Sequence, residues 1–207
     1  MTAVSMDAWP PQVLLDPSVH LHLDGQPVGT GSTVLDFWGW AMSDFRDNTN
    51  RGLLAEFIVA KVIGARLQIR STWADVDLET PQGISVEVKS SAYLQAWNPK
   101  LVSRPSFSGL KARAWSPDTG YAKHASYRAM VYVFALQASR RRSDYDALNL
   151  SQWLFWLAPR SALEALGQKS IALSSLEKHF GQGFGFQDLH SRFHAITRDL
   201  DGHGRTS

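Results

Sequence analysis

The chain has 207 residues, 44% of them hydrophobic and 19% charged, which excludes a disordered chain and suffices for one domain to bury its own core. It has no cysteine, so disulfides and thiolate metal sites are excluded. The net charge of +2 is unevenly spread: residues before Arg51 carry six aspartates against Arg46 alone, while 51–128 is rich in bases. A basic middle around acidic residues suits a polyanion held near bound cations. The eight tryptophans are expected mainly in the core. The N-terminus has no basic stretch followed by an apolar run, and the longest apolar segments, such as 130–136, are far too short to span a bilayer. A soluble cytoplasmic protein without a membrane partner is expected.

A single domain is expected over 1–207, beginning with an irregular arm over 1–32 that is punctuated by Pro and Gly. Within that arm 19–23 can form a short strand entering the Asp24-Gly25 turn, with His20 and His22 on its polar face. Helical spacing of Leu35, Trp38, Met42 and Phe45 predicts a helix over 34–45. The polar cluster 47–50 should break it, before a second helix over 51–62 that ends at Gly64. Glu56 lies one turn from both Gly52 and Ala60 on that helix, flanked by small residues that allow close approach of a sheet edge or ligand. Residues 67–73 are expected as a strand and 90–97 as a helix. A long basic loop over 98–124 follows, with Phe107, Trp115 and Tyr121 interleaved among Lys100, Arg104, Lys111, Arg113 and Lys123. Such a loop could contact phosphates through its bases and nucleobases through its rings.

Buried strands are expected over 127–138 and 148–157. The run Arg140-Arg141-Arg142 between them is taken as a solvated turn. Ser161 with Glu164, and Ser174 with Glu177, have the spacing of capping boxes opening two helices. The glycine-rich 181–185 lacks dinucleotide-binding spacing and is expected as a loop. His190 and His194 stand four apart on a terminal helix, as surface residues. The whole describes an α/β sandwich, a central mixed β-sheet flanked by helices.

The stretch most loaded with chemistry is 74–89. Val76 and Leu78 are apolar, Thr80-Pro81-Gln82-Gly83 is a turn cluster, and the following residues alternate up to Lys89, so the segment predicts a β-hairpin. Alternation puts Glu87 and Lys89 on one face, and pairing across the turn can set Asp77 beside Glu87. Carboxylates gathered this way are costly to bury without compensation. A hard divalent cation such as Mg²⁺ is the natural one. A Glu-x-Lys pair on a strand, taken alone, reads first as a cross-strand ion pair.

Glu56 on a helix, then Asp77, then Glu87-Val88-Lys89 closing the next strand resembles the PD-(D/E)XK nuclease superfamily, which has the restriction-endonuclease-like fold. The likeness covers about residues 51–134, where the expected element order is similar to the family's α-β-β-β-α-β core. The proline that usually precedes the aspartate is missing: Val76 precedes Asp77 and Ala74 precedes Asp75, so either aspartate could fill the position, with Asp77 preferred for its shorter reach to Glu87. The resemblance implies Mg²⁺-dependent hydrolysis of DNA phosphodiesters, with Mn²⁺ as a substitute. It implies that Asp77, Glu87 and the Val88 carbonyl hold the metal and that Glu56 holds a second metal or its waters. Lys89 would then stand beside the attacking water, and Gln95 in a supporting position. DNA is the implied partner, and double-strand cleavage would require a homodimer or two successive cuts. The alternative on the same fold is a catalytically inactive DNA-binding or assembly subunit.

Overall fold

The computed structural model describes residues 13–72, 74–97, 102–116 and 118–203. The chain divides into two compact units, Met1–Ser43 with Gln68–Ser71, and Asp44–Leu67 with Thr72–Ser207. The first unit holds β1 (His22–Leu23), β2 (Gln26–Pro27) and α1 (Val34–Met42). Asp24 and Gly25 both take positive φ, as a two-residue turn between twisted antiparallel strands requires. The helix opens on a capping box, Thr33 with Asp36, that the sequence reading had missed.

The second unit begins with α2 (Asn48–Ile63). The cluster 47–50, expected to break a helix, instead starts one: the Asp47 carboxylate accepts from the backbone N–H groups of Thr49 and Asn50. Gly64 ends it with φ 65°. Residues 67–72 form no strand, which corrects that expectation, and Trp73 lies outside the described residues. The hairpin follows as β3 (Leu78–Glu79) and β4 (Ser85–Ala92), antiparallel and closed by Gly83 N–H donating to the Thr80 carbonyl. The helix expected over 90–97 is absent, because β4 runs on to Ala92 along a partner strand.

The connection over 93–130 contains no α-helix among its described residues. It carries β5 (Ser106–Phe107), β6 (Trp115–Ser116) and β7 (Gly120–Tyr121), so the long loop is partly built into the fold. Next come β8 (Val131–Gln137), β9 (Trp153–Pro159), α3 (Arg160–Leu166), β10 (Ile171–Ala172), α4 (Leu173–Phe180), β11 (Phe184–Gly185) and α5 (Leu189–His203). The capping boxes expected for α3 and α4 do not form. Both helices start where a preceding strand ends, and their first N–H groups are satisfied from elsewhere in the fold, Arg160 by the Met130 carbonyl and Leu173 by the Pro105 carbonyl.

A mixed five-stranded sheet lies at the centre, in the order β11-β9-β8-β4-β3. Its β4 and β8 are parallel and every other neighbouring pair is antiparallel. All seven residues of β8 are buried, as a strand covered on both faces demands. One face packs Val88, Val133 and Phe155 against Ala55 and Val59 of α2 and Phe193 of α5. The other packs Tyr132, Phe134 and Trp156 against Phe107, Leu110 and helices α3 and α4. Helices therefore flank both faces. Among the described residues no helix is long and apolar enough to cross a membrane.

The glycine-rich 181–185, expected as a loop, ends in the edge strand β11. The segment lies against Trp156, whose indole N–H donates to the Gly181 carbonyl. A Cβ on Gly183 would lie 2.5 Å from the Trp156 ring. The ring is 2% exposed and has no room to yield. Gly183→Ala is therefore expected to destabilise the fold by about 1–3 kcal/mol, as overpacking does. Chemical denaturation measures this directly, and an unchanged midpoint would show that the ring can move aside.

Candidate active site

The hairpin register fixes the heart of the site. Leu78 pairs with Val86 and Glu79 with Ser85, so one further step along the ladder sets Asp77 opposite Glu87. No backbone ladder is formed at that step. Instead an oxygen of the Asp77 carboxylate accepts from the Val88 N–H at 2.8 Å. Within a strand, the N–H and C=O of one residue point to the same side. The Ser85 carbonyl is turned toward the β8 side, where it accepts from Met130, so the alternate residues Val86 and Val88 face the hairpin edge. The Val88 carbonyl thus projects toward the side that holds Asp77.

Glu87 and Lys89 rise from the same face of β4, with Nζ of Lys89 2.5 Å from a Glu87 oxygen. Their side chains are 15% and 20% exposed, so this pair is partly buried. Burial pushes the Glu87 carboxyl above its usual range, and the neighbouring Asp77 pushes it further. The Lys89 ammonium pulls the other way and does not prevail, while Glu56 adds a smaller upward push. Glu56 is half-buried on α2, between Ala55 and residues of the helix face that packs on the sheet. Glu87 thus feels a carboxylate from the hairpin edge and, more weakly, one from α2.

Asp75 has a different surrounding. It pairs with Arg128 at 2.7 Å and is 58% exposed, which leaves Asp77 as the aspartate beside Glu87. Gln95 is not on a helix. It follows the end of β4, where its amide nitrogen donates to the Ala92 carbonyl at 3.0 Å. Of the basic residues in the long connection, Lys100 lies outside the described residues. Lys111 donates to the Gly167 carbonyl and Arg113 to the Ala122 carbonyl, each also lying over a tyrosine ring. Arg104 and Lys123 are exposed.

The sequence reading missed what covers Lys89. The segment 106–110 crosses it, so that a Cβ on Gly109, at φ 70°, would stand 3.6 Å from Nζ. Phe107 and Leu110 anchor the segment in the core, and the Tyr132 hydroxyl donates to the Leu110 carbonyl. Two apolar residues bracketing a glycine were the available signal, and it was outweighed by the polar composition around them.

Among the described residues, no group of three or more His, Cys, Asp or Glu side chains is placed to hold a metal ion. The donor set at the hairpin is smaller: two carboxylates and one main-chain carbonyl. That suits Mg²⁺, which commonly takes one or two carboxylates and keeps several waters. The raised Glu87 carboxyl fits the same ion, since a cation relieves the repulsion that Asp77 imposes. No protein-family model matches the chain, and no curated protein matches it.

Proposed function

We propose that this chain is a divalent-cation-dependent DNA endonuclease of the PD-(D/E)XK superfamily, with Asp77, Glu87 and Lys89 at its centre and Glu56 in support. The observation that carries the proposal is the position of Asp77, locked onto the Val88 N–H across from a partly buried Glu87–Lys89 pair on one strand. An acid raised by burial and then by Asp77, and held beside an ammonium, is costly for a structural ion pair and useful for binding a cation against a phosphate. The finer fold expectation, a restriction-endonuclease-like sandwich, is supported by α2, the hairpin and the parallel β4–β8 pair. The strand at 67–73 and the helix at 90–97 no longer contribute to it.

In this reading Asp77, Glu87 and the Val88 carbonyl would hold Mg²⁺ or Mn²⁺. When bound, such an ion acidifies a water molecule and offsets charge on the phosphate. Lys89 keeps two of its three N–H donors after bonding Glu87, and these serve to hold the phosphate oxygens and orient the water. Glu87 holds the ammonium in place. One such site cuts one strand, so double-strand cleavage takes a homodimer or two events.

A second reading, a DNA-binding subunit without catalysis, is favoured by the lack of a three-ligand group among the described residues. Conversion of supercoiled plasmid to nicked circles separates the two. Nicking is expected with Mg²⁺ or Mn²⁺ and not with EDTA. Intact plasmid, single-stranded and branched DNA after incubation with either metal, together with no heat of metal binding by calorimetry, would sink the nuclease and leave the binding subunit.

A further inference from the structure

Beyond the carboxyl ends of the two parallel strands lies a cavity of about 560 Å³ that the hairpin site does not use. Three chain segments meet there: Asp44 and Arg46 ahead of α2, Leu94 and Gln95 just past β4, and Arg142 and Tyr145 just past β8. Crevices at the carboxyl ends of parallel strands are where open α/β sheets tend to bind ligands. The volume falls within the ~300–1,000 Å³ of ordinary small-molecule sites.

The lining has a definite chemistry. Arg46 is held by a bidentate pair with Asp44, at 2.7 and 2.9 Å, which fixes its guanidinium plane and takes two of its five donors. Behind it Arg51 is 2% exposed, and its terminal nitrogens donate to two neutral acceptors, the Arg46 carbonyl and the Asn48 side chain. The Arg51 Nε is buried with no hydrogen-bond partner. Arg142 also lines the cavity, and Arg140, two residues before it, stacks 4.0 Å over the Tyr93 ring. Among the charged residues that line the cavity, Arg46 and Arg142 stand against the one carboxylate of Asp44.

Gln95 contributes the opposite polarity. Its nitrogen is tied back to the end of β4, and its carbonyl oxygen is buried without a partner. Such an acceptor takes a hydrogen-bond donor, which the N–H groups on a nucleobase edge supply. A nucleotide satisfies both demands, with a phosphate for the arginines, a base edge carrying N–H groups for Gln95, and an aromatic face for Tyr145.

We propose that this cavity binds one nucleotide, with its phosphate on Arg46 and Arg142 and its base between Tyr145 and Gln95. The strand geometry says which nucleotide: β4 covers ~10 Å from Lys89 to Ala92. On the nuclease reading, on which this part rests, the occupant is a nucleotide of the DNA strand one or two positions from the scissile phosphate. Of the triple arginine after β8, expected as a solvated turn and exposed throughout, Arg142 alone lines the cavity, while Arg141 pairs with Asp144.

The test uses the full chain in EDTA, so that no DNA is cut. Binding of a fluorescein-labelled six-nucleotide single strand is followed by anisotropy for the wild type, Arg142→Ala and Gln95→Leu. Deoxynucleoside 5′-monophosphates and inorganic phosphate serve as competitors. Each variant is expected to weaken binding about tenfold or more, with an unshifted melting temperature for Arg142→Ala, whose side chain is exposed. Mononucleotides should displace the strand at concentrations where phosphate does not. Wild-type affinity in both variants overturns the proposal, and so does phosphate competing as well as nucleotides, which would leave a plain anion site. Plasmid nicking is scored separately with Mg²⁺. Nicking together with variant-insensitive binding sinks the cavity and keeps the nuclease. Variant-sensitive binding without nicking keeps the cavity and sinks the nuclease.

Discussion

Lys89→Ala is expected to lower the rate of Mg²⁺-dependent plasmid nicking by about 10²-fold or more, the usual loss when a positioned donor to developing charge is removed. The side chain is placed for that role by three constraints: it shares a face of β4 with Glu87, bonds the Glu87 carboxylate, and lies under the 106–110 segment. The same substitution leaves Glu87 partly buried without its cation, so some stability will be lost as well. Lys89→Met separates the two effects by keeping the apolar stem. Activity is compared at temperatures well below each variant's melting point. Nicking at the wild-type rate in a folded Lys89 variant would remove this lysine from the mechanism and reduce its pair with Glu87 to a structural contact.

Glu87→Gln is expected to act in opposite directions on function and on stability. Nicking should fall by a similar ~10² or more, because the amide cannot replace the carboxylate toward the metal. The stability argument comes from the raised Glu87 carboxyl, pushed up first by burial and then by Asp77. The folded chain holds this proton more tightly than the unfolded chain. Between the unfolded pKa, ~4.3, and the higher folded value, the folded state carries the extra proton, so stability falls as pH rises. Above that window the cost is complete, and glutamine does not incur it. At pH 7 in EDTA the Gln variant should therefore be more stable by about 1 kcal/mol, with the difference shrinking toward pH 4. Adding Mg²⁺ should raise the melting temperature of the wild type and leave that of the variant where it was. The opposite sign, a variant less stable at pH 7 than the wild type in EDTA, would mean that the bond to Lys89 outweighs burial and that Glu87 is there to hold the lysine.

Much of the hairpin was legible in the sequence. Alternation through 84–89 and the Thr80-Pro81-Gln82-Gly83 turn fix both the strands and the register, and that register puts Asp77 opposite Glu87. The terminal helix was legible in its period, as was most of α2. The failures share a cause, which is that distant partners decided local structure. Ser90 and the residues after it stay in a strand because β8 offers seven consecutive partners to β4. The starts of α3 and α4 ignore their serines because strand ends supply the bonds a cap would make. Gly183 makes room for the Trp156 ring, which also bonds the Gly181 carbonyl, rather than serving a flexible loop. The same holds for function. Nothing local to Arg142 separates it from its exposed neighbours Arg140 and Arg141. The parallel pairing of β4 with β8, from Val86 and Val131 onward, sets it beside Gln95 at the proposed cavity.

The open side of β4 has a consequence beyond chemistry. Among the described residues β3 supplies two residues against the eight of β4, which leaves most of the outer rim of the sheet without a strand beside it. Such rims tend to template pairing with other molecules and so lead to aggregation. At Val88 the amide is engaged by a charged carboxylate, which repels the backbone oxygens an incoming strand would bring. The aspartate that shapes the proposed cation site thereby also discourages edge-to-edge association at the place where the sheet is least covered.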